Sequence, residues 1–181
     1  MGNAIKVRQR GKWLKIAPMQ KHTPKLFLIC GKIAAGKSTL ASELATREAT
    51  VLTSEDHWLT NLYPGEISTL DDYVRCSARL RDAINPHVVS LLHEGLSVVM
   101  DFPANTISQR QWLRGIFETA NVAHELHYLD VSNEICKTRL RDRNLAGEHP
   151  FQPSETEFDL FTNYFVAPTP DEGFNIIIHQ T

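Results

Sequence analysis

The sequence has no apolar stretch near the roughly 20 residues that a membrane-spanning helix requires, and it contains no internal repeat. Its three cysteines, Cys30, Cys76 and Cys136, are far apart and form no C-x-x-C pair. They are typical of reduced, buried thiols in a cytosolic protein. The histidines show no metal-binding spacing, because His124 and His127 would point to opposite faces of a strand. We therefore expect neither a membrane protein nor a zinc site.

Acidic residues are absent from the first 25 positions, which hold seven of the 19 lysines and arginines. The rest of the chain carries 12 basic against 21 acidic residues, and this balance disfavours a long nucleic-acid-binding surface. We predict a flexible extension over residues 1–24, followed by one domain over residues 25–181. The extension could instead be an arm for nucleic acid or membrane, or lie upstream of a native start at Met19.

One motif stands out against these absences, and its setting supports it. Residues 26–30 form a short apolar run that predicts a buried strand, and residues 39–47 have apolar side chains at helical spacing. Between them lies a match to the phosphate-binding pattern G-x-x-x-x-G-K-[ST], namely Gly31-Lys32-Ile33-Ala34-Ala35-Gly36-Lys37-Ser38-Thr39.

This spacing predicts a binding site for a nucleoside triphosphate. Gly31 and Gly36 permit backbone angles and close approaches that a Cβ would block. The loop amides and the start of the next helix then form an anion-binding nest. Lys37 would bridge the β- and γ-phosphates, and the Ser38 hydroxyl would bind Mg²⁺.

Strand and helix patterns alternate along the chain, which predicts an α/β fold with a parallel sheet and helices on both faces. A helix is predicted at 68–84, and Asn85-Pro86 predicts the start of a separate helix that ends at Gly95. Four further strands are predicted at 51–54, 96–101, 123–130 and 174–179, with helices at 106–120, at 132–143 and from 154 onward.

Asp101 ends the apolar strand at 96–101. We predict that it joins Ser38 at the magnesium site, where its carboxylate would hold a Mg²⁺-bound water. Phe102 follows it, so the glutamate that serves as general base in motor-type ATPases is missing. The guanine-binding motif N-K-x-D is also absent from the sequence, which disfavours a signalling GTPase.

The segment Glu55-Asp56-His57-Trp58 follows the second predicted strand, where ligands bind in α/β sheets. A carboxylate there could take a proton from a substrate hydroxyl. Asp56 is the preferred base and Glu55 its rival, although either could simply cap a helix. His57 and Trp58 could contribute to an acceptor pocket, or be an exposed histidine and a core tryptophan.

Three arginines could act on phosphate groups. Arg139 and Arg143 share one face of a predicted helix and could stabilise the transferring phosphoryl group, or pair with nearby acids on the surface. Arg110 could reach an anionic acceptor or be solvated. Asn105 is predicted to cap the helix at 106–120.

Over about residues 25–179 the chain resembles the small bacterial AAA-type, P-loop kinase-like ATP-binding proteins, relatives of chloramphenicol phosphotransferase, zeta toxin and bacteriophage polynucleotide kinase. The resemblance rests on five segments: GKIAAGKST, SEDHW, VVMDFPANT, RLRDR, and GEHPF through APTPDEGF. It implies a three-layer P-loop NTPase fold whose five strands have the order 2-3-1-4-5. It also implies ATP and Mg²⁺ at residues 31–39, with Asp101 on the metal side, Asp56 as base, and Arg139 and Arg143 as lid arginines.

Together these patterns predict a phosphotransferase that moves the γ-phosphate of Mg-ATP to a small hydroxyl-bearing acceptor. One alternative is a nucleotide-binding regulatory protein that hydrolyses ATP slowly or not at all. Another is a toxin-like kinase controlled by a protein partner. A small-molecule acceptor is favoured over nucleic acid because the body of the chain is acidic.

Overall fold

A five-stranded parallel sheet forms the centre of the computed structural model, which describes residues 6–9, 12–15, 22–147 and 152–180. Its strands are β3 (Lys25–Cys30), β4 (Thr50–Ser54), β5 (Ser97–Asp101), β6 (Ala123–Asp130) and β7 (Ile176–Gln180). Their order across the sheet is β4-β5-β3-β6-β7, and every neighbouring pair is parallel. This is the order 2-3-1-4-5 within the sheet, so the predicted fold is confirmed.

Two short strands precede the sheet. β1 (Lys6–Gln9) and β2 (Lys12–Lys15) pair antiparallel with each other, with Lys6 opposite Lys15. The remaining positions of residues 1–21 lie outside the described residues, so a flexible extension stays a prediction.

Helices cover both faces of the sheet. In the described part of the chain they are α1 (Lys37–Ala45), α2 (Glu55–Leu62), α3 (Leu70–His93), α4 (Ile107–Ala120), α5 (Asn133–Ala146) and α6 (Glu155–Thr162), with a 3₁₀ turn at Pro170–Glu172. α1, α5 and α6 pack on one face, whereas α3 and α4 pack on the other. The result is a three-layer α/β/α arrangement.

Side chains of the central strand β3 alternate between two hydrophobic cores. Leu26 and Leu28 join the core under α3 and α4, and Phe27 and Ile29 join the core under α1 and α5. All four are at most 3% exposed. A strand buried on both faces has a continuous apolar sequence, and this explains why residues 26–30 are so easily recognised.

The prediction of two helices separated at Asn85-Pro86 is wrong. α3 runs through both residues as a single helix of 24 residues, with Pro86 in its interior. A proline there removes a backbone hydrogen bond and costs about 3 kcal/mol. Ile84, Val88 and Leu92 nevertheless continue one buried stripe at four-residue spacing. Burying such side chains contributes about 1.5–3 kcal/mol each, which offsets the cost of the proline.

Candidate active site

The loop at residues 31–36 connects β3 to α1 at the carboxyl edge of the sheet. Ala34 and Gly36 have left-handed φ values of 58° and 105°, and glycine adopts such angles without steric cost. At Gly31 the constraint is space, because a Cβ there would lie 3.2 Å from the Leu129 Cβ, closer than ordinary van der Waals contact. No side chain caps the start of α1, so its first amides can bind an anion.

Lys37, the first residue of α1, folds back over the loop. Its Nζ donates to the carbonyl oxygens of Gly31 and Lys32, each at 2.8 Å. Burial lowers the pKa of the ammonium group, while the Asp101 carboxylate opposes this shift. The ammonium therefore lies at the anion-binding loop, held by neutral carbonyls that a phosphate oxygen can replace.

Ser38 and Asp101 come together across the sheet edge. Burial raises the pKa of the Asp101 carboxyl, and the nearby Ser38 hydroxyl and the charge of Lys37 act against this shift. A hydroxyl oxygen and a carboxylate are oxygen ligands of the kind that Mg²⁺ prefers when phosphates and water complete its coordination. The donor set therefore fits the predicted metal.

Asp56 lies in the first turn of α2, directly after β4, and its side chain is exposed. β4 and β5 pair with Ser54 opposite Asp101, which places the start of α2 beside the metal-side residue. Burial lowers the pKa of Lys37 and of Arg143 and raises that of Asp101; the negative charge of Asp56 opposes the first two shifts and adds to the third. The fold thus brings the preferred candidate base into the electrostatic field of the phosphate loop.

Glu55, the rival candidate, has different surroundings. It is 1% exposed and accepts hydrogen bonds from Tyr73 Oη at 2.7 Å and from Ser77 Oγ. Arg81 Nη2 lies 3.4 Å from its carboxylate. These partners all belong to α3, so Glu55 links α2 to α3. His57 and Trp58 are both exposed on α2, so Trp58 is not the core residue that the sequence offered as an alternative, and a role in an acceptor pocket stays a prediction.

The two candidate lid arginines are four residues apart on α5. Arg139 Nη1 donates to the carbonyl oxygen of Ala35 in the loop at 3.2 Å. Burial lowers the pKa of Arg143, and the Asp56 carboxylate opposes this shift. α5 therefore contacts the phosphate loop through Arg139, and the role of both arginines as lid residues stays a prediction.

Two interpretations of the segment after β5 are wrong. Thr106, not Asn105, caps α4, since its side chain accepts from Gln109 N. Arg110 is not a solvated acceptor-binding group, because it is fully buried and forms two hydrogen bonds to the Glu172 carboxylate at 2.6 and 2.7 Å.

Sequence analysis missed two contacts of the loop. The Asn105 side-chain oxygen accepts from Gly31 N at 3.0 Å. Lys32 Nζ donates to the Val131 carbonyl at 3.1 Å and to Asn133 Oδ1 at 2.6 Å. Nothing in the local pattern signals either contact, because each joins segments that are distant in sequence.

Many nucleotide-binding families combine a P-loop with an acidic residue at the end of the neighbouring strand, as Asp101 is here. Comparison with known sequences shows to which of these families the chain belongs. The AAA_33 profile, described as an AAA domain, matches residues 26–168. The chain belongs to this family. No curated protein matched the sequence.

Solved structures share the fold across most of this chain. A candidate kinase from Chloroflexus aurantiacus has a TM-score of 0.69 at 21% identity, covering 87% of this chain and 88% of its own. Kti12 from Chaetomium thermophilum, bound to ADP-AlF₃, has a TM-score of 0.64 at 14% identity, covering 86% and 88%. A sugar kinase from Janibacter sp. has a TM-score of 0.57 at 19% identity, covering 87% and 85%. At these identities the similarity establishes a P-loop kinase-like fold.

Two properties of the described residues complete the comparison. Across residues 22–147 and 152–180, none of the helices combines the length and apolar character needed to cross a membrane. The same residues contain no group of three or more His, Cys, Asp or Glu side chains arranged to hold a metal ion.

Proposed function

We propose that this protein is an ATP-dependent phosphotransferase that moves the γ-phosphoryl group to a hydroxyl of a small acceptor. The observation that carries the proposal is the position of Asp56. It is an exposed carboxylate in the first turn of α2, directly after the strand whose last residue, Ser54, lies opposite Asp101. A carboxylate there can take the proton of a hydroxyl that approaches the bound γ-phosphate.

The proposed reaction assigns one task to each side chain. Lys37 and the loop amides would bind the β- and γ-phosphates. Ser38 and Asp101 would hold a Mg²⁺ ion, which would supply charge neutralisation at those phosphates. The acceptor oxygen attacks the γ-phosphorus, the bond to the bridging β,γ-oxygen breaks, and ADP leaves. Asp56 takes the proton of the acceptor hydroxyl, and Arg139 and Arg143 stabilise the charge on the moving phosphoryl group.

Transfer is favoured over hydrolysis by the residue that follows Asp101. Phe102 is 1% exposed and packs against Trp112 with ring centroids 5.7 Å apart. An aromatic side chain in that position cannot activate water. Asp56, in the first turn of α2 after the neighbouring strand β4, would instead meet an acceptor that enters from the α2 side.

We infer the class of acceptor from the charge of the segment on the proposed acceptor side. No lysine or arginine occurs between Arg47 and Arg75, the stretch that contains β4, α2 and the start of α3. A long phosphate backbone would find few partners there. We therefore place small neutral or basic hydroxyl compounds ahead of polynucleotides.

The test is release of ADP from Mg-ATP, measured with and without pools of acceptors. Separate pools contain sugars, nucleosides, hydroxylated antibiotics and polynucleotide ends, and Lys37→Ala serves as the inactive control. We expect one small-molecule pool to raise ADP release well above the rate without acceptor. Release that is high without any acceptor would identify a hydrolase. Tight ATP binding with no response to any pool would favour the regulatory nucleotide-binding protein.

A further inference from the structure

Both polar backbone groups of Gly31, the first glycine of the phosphate loop, form hydrogen bonds to side chains. Its carbonyl oxygen accepts from Lys37 Nζ at 2.8 Å, and its N–H donates to Asn105 Oδ1 at 3.0 Å. Asn105 lies 74 residues later in the chain, in the connection between β5 and α4. The orientation of the first loop peptide is thus fixed by a side chain from outside the motif.

Asn105 is itself held by its backbone. Its N–H donates to Gln109 Oε1 at 2.9 Å, within the capping box of α4. Its carbonyl oxygen accepts from Val166 N at 2.9 Å. With both backbone groups bonded, the backbone that carries the side-chain amide is held in place beside Gly31.

Val166 belongs to a connection at residues 163–173, between α6 and β7, which we call the strap. Arg110 Nη1 donates to the Val166 carbonyl at 2.8 Å and to the Ala104 carbonyl at 3.0 Å. Nε and Nη2 of the same guanidinium donate to the carboxylate of Glu172, near the other end of the strap. One buried arginine therefore fastens the strap to both the start of α4 and the residue beside Asn105.

The strap also contacts the phosphate loop directly. The Phe165 ring stacks on Tyr128 of β6 with centroids 6.1 Å apart, and Lys32 Nζ lies 6.0 Å from the centre of the same ring. The loop, Asn105 and the strap are therefore connected by a continuous set of contacts.

We propose that Asn105 is a positioning residue for the phosphate loop, held in place by the strap through the Arg110–Glu172 ion pair. An amide oxygen suits this task because it accepts a hydrogen bond without bringing a negative charge next to bound phosphates. The proposal rests on the proposed function, because positioning matters only if the loop binds a nucleotide. The hydrogen bond to Gly31 can nevertheless be measured without any nucleotide.

The experiment compares Asn105→Ala, Asn105→Asp and Gln109→Ala with the wild type by two measurements. Amide hydrogen exchange of Gly31, followed by NMR, reports the hydrogen bond, and calorimetric titration with Mg-ADP reports its effect on the site. A single hydrogen bond is worth a factor of about 3–10. We expect Asn105→Ala to accelerate Gly31 exchange and to weaken Mg-ADP binding, each by about this factor.

The two other variants separate positioning from a general structural role. Asn105→Asp still offers an oxygen, so it keeps Gly31 protected, but its charge weakens Mg-ADP binding, most strongly at low salt. Gln109→Ala removes one of the two bonds that hold the Asn105 backbone but leaves the Asn105 oxygen in place, so it accelerates Gly31 exchange less than Asn105→Ala does. Unchanged Gly31 exchange in Asn105→Ala, or equal acceleration in Gln109→Ala, would overturn the assignment.

The strap is tested by Glu172→Gln, which keeps the size of the side chain and removes its charge. Faster exchange of both Val166 N–H and Gly31 N–H is expected, and unchanged exchange at Gly31 would show that the strap does not hold Asn105. If the wild type binds no Mg-ADP, the proposed function fails, and Gly31 exchange alone then decides whether Asn105 positions the loop.

Discussion

Arg110 and Glu172 are 62 residues apart in the chain and form a bidentate ion pair, although the arginine side chain has no exposed surface. A buried guanidinium is tolerated only when its donors are satisfied, and here the carbonyls of Ala104 and Val166 complete the set. The pair joins α4 to the connection that leads into the last strand.

We expect Glu172→Gln to lower the free energy of unfolding by about 3–5 kcal/mol, since it leaves the Arg110 charge buried and without a counter-ion. Chemical denaturation monitored by circular dichroism would measure the change. The matched control is Glu118→Gln, which breaks an exposed pair with Arg114 at 3.5 Å and should cost about 0–1 kcal/mol. Equal effects of the two variants would contradict the importance of burial.

The same pair predicts acid sensitivity. The hydrogen bonds from Arg110 hold the pKa of Glu172 below its ordinary value of 4.5. A carboxyl whose pKa is lowered on folding contributes stability above its unfolded pKa, and that contribution is lost as pH falls through the folded value. The stability difference between wild type and Glu172→Gln should therefore be largest near neutral pH. It should shrink steadily below about pH 4.5 in denaturation curves recorded at several pH values.

Lys37→Ala should abolish measurable Mg-ATP binding, because it removes the cation that lies at the loop carbonyls. Lys32→Ala is the matched control from the same loop. The Lys32 ammonium is already bound to the Val131 carbonyl and Asn133. Calorimetric titration should show a much smaller loss of affinity for Lys32→Ala, and similar losses would mean that only the net charge of the loop matters.

Asp56→Asn should reduce phosphate transfer by about 10²–10⁴-fold while leaving ATP affinity and stability nearly unchanged, as expected for a general base. Glu55→Gln should give the opposite result. Its carboxylate is buried against Tyr73, Ser77 and Arg81, so the change should lower stability by about 1–3 kcal/mol. Steady-state kinetics and denaturation on both variants distinguish the two carboxylates. Full transfer activity in Asp56→Asn would rule out its role as base.

The cysteines should be unreactive in the native protein. Cys30, Cys76 and Cys136 are all buried, and burial raises the pKa of Cys30 to about 12. Because the thiolate is the reactive form, a chromogenic disulfide reagent at pH 8 should modify the folded protein slowly and label all three thiols after denaturation. Rapid labelling of one thiol in the native protein would show local opening around it.

Local sequence patterns were sufficient for much of the fold. β6 was predicted with its observed bounds, 123–130, and the helices predicted from positions 132 and 154 do begin there, capped by Ser132 and Ser154. Patterns of this kind depend on neighbours within a few positions. The break predicted at Asn85-Pro86 failed because the buried stripe on α3 outweighs the local effect of one proline.

The sequence by itself determined the phosphate loop, since its glycines, Lys37 and Ser38 act through backbone angles and spacings that are set locally. It also limited the candidates for the general base to Asp56 and Glu55. Only the tertiary structure decided that Glu55 turns toward α3, that Arg110 is buried against Glu172, and that Asn105 holds Gly31. These outcomes depend on which distant segments pack together. That packing fixes the direction in which a side chain points and the partner that it meets. Neither is encoded in a local sequence pattern.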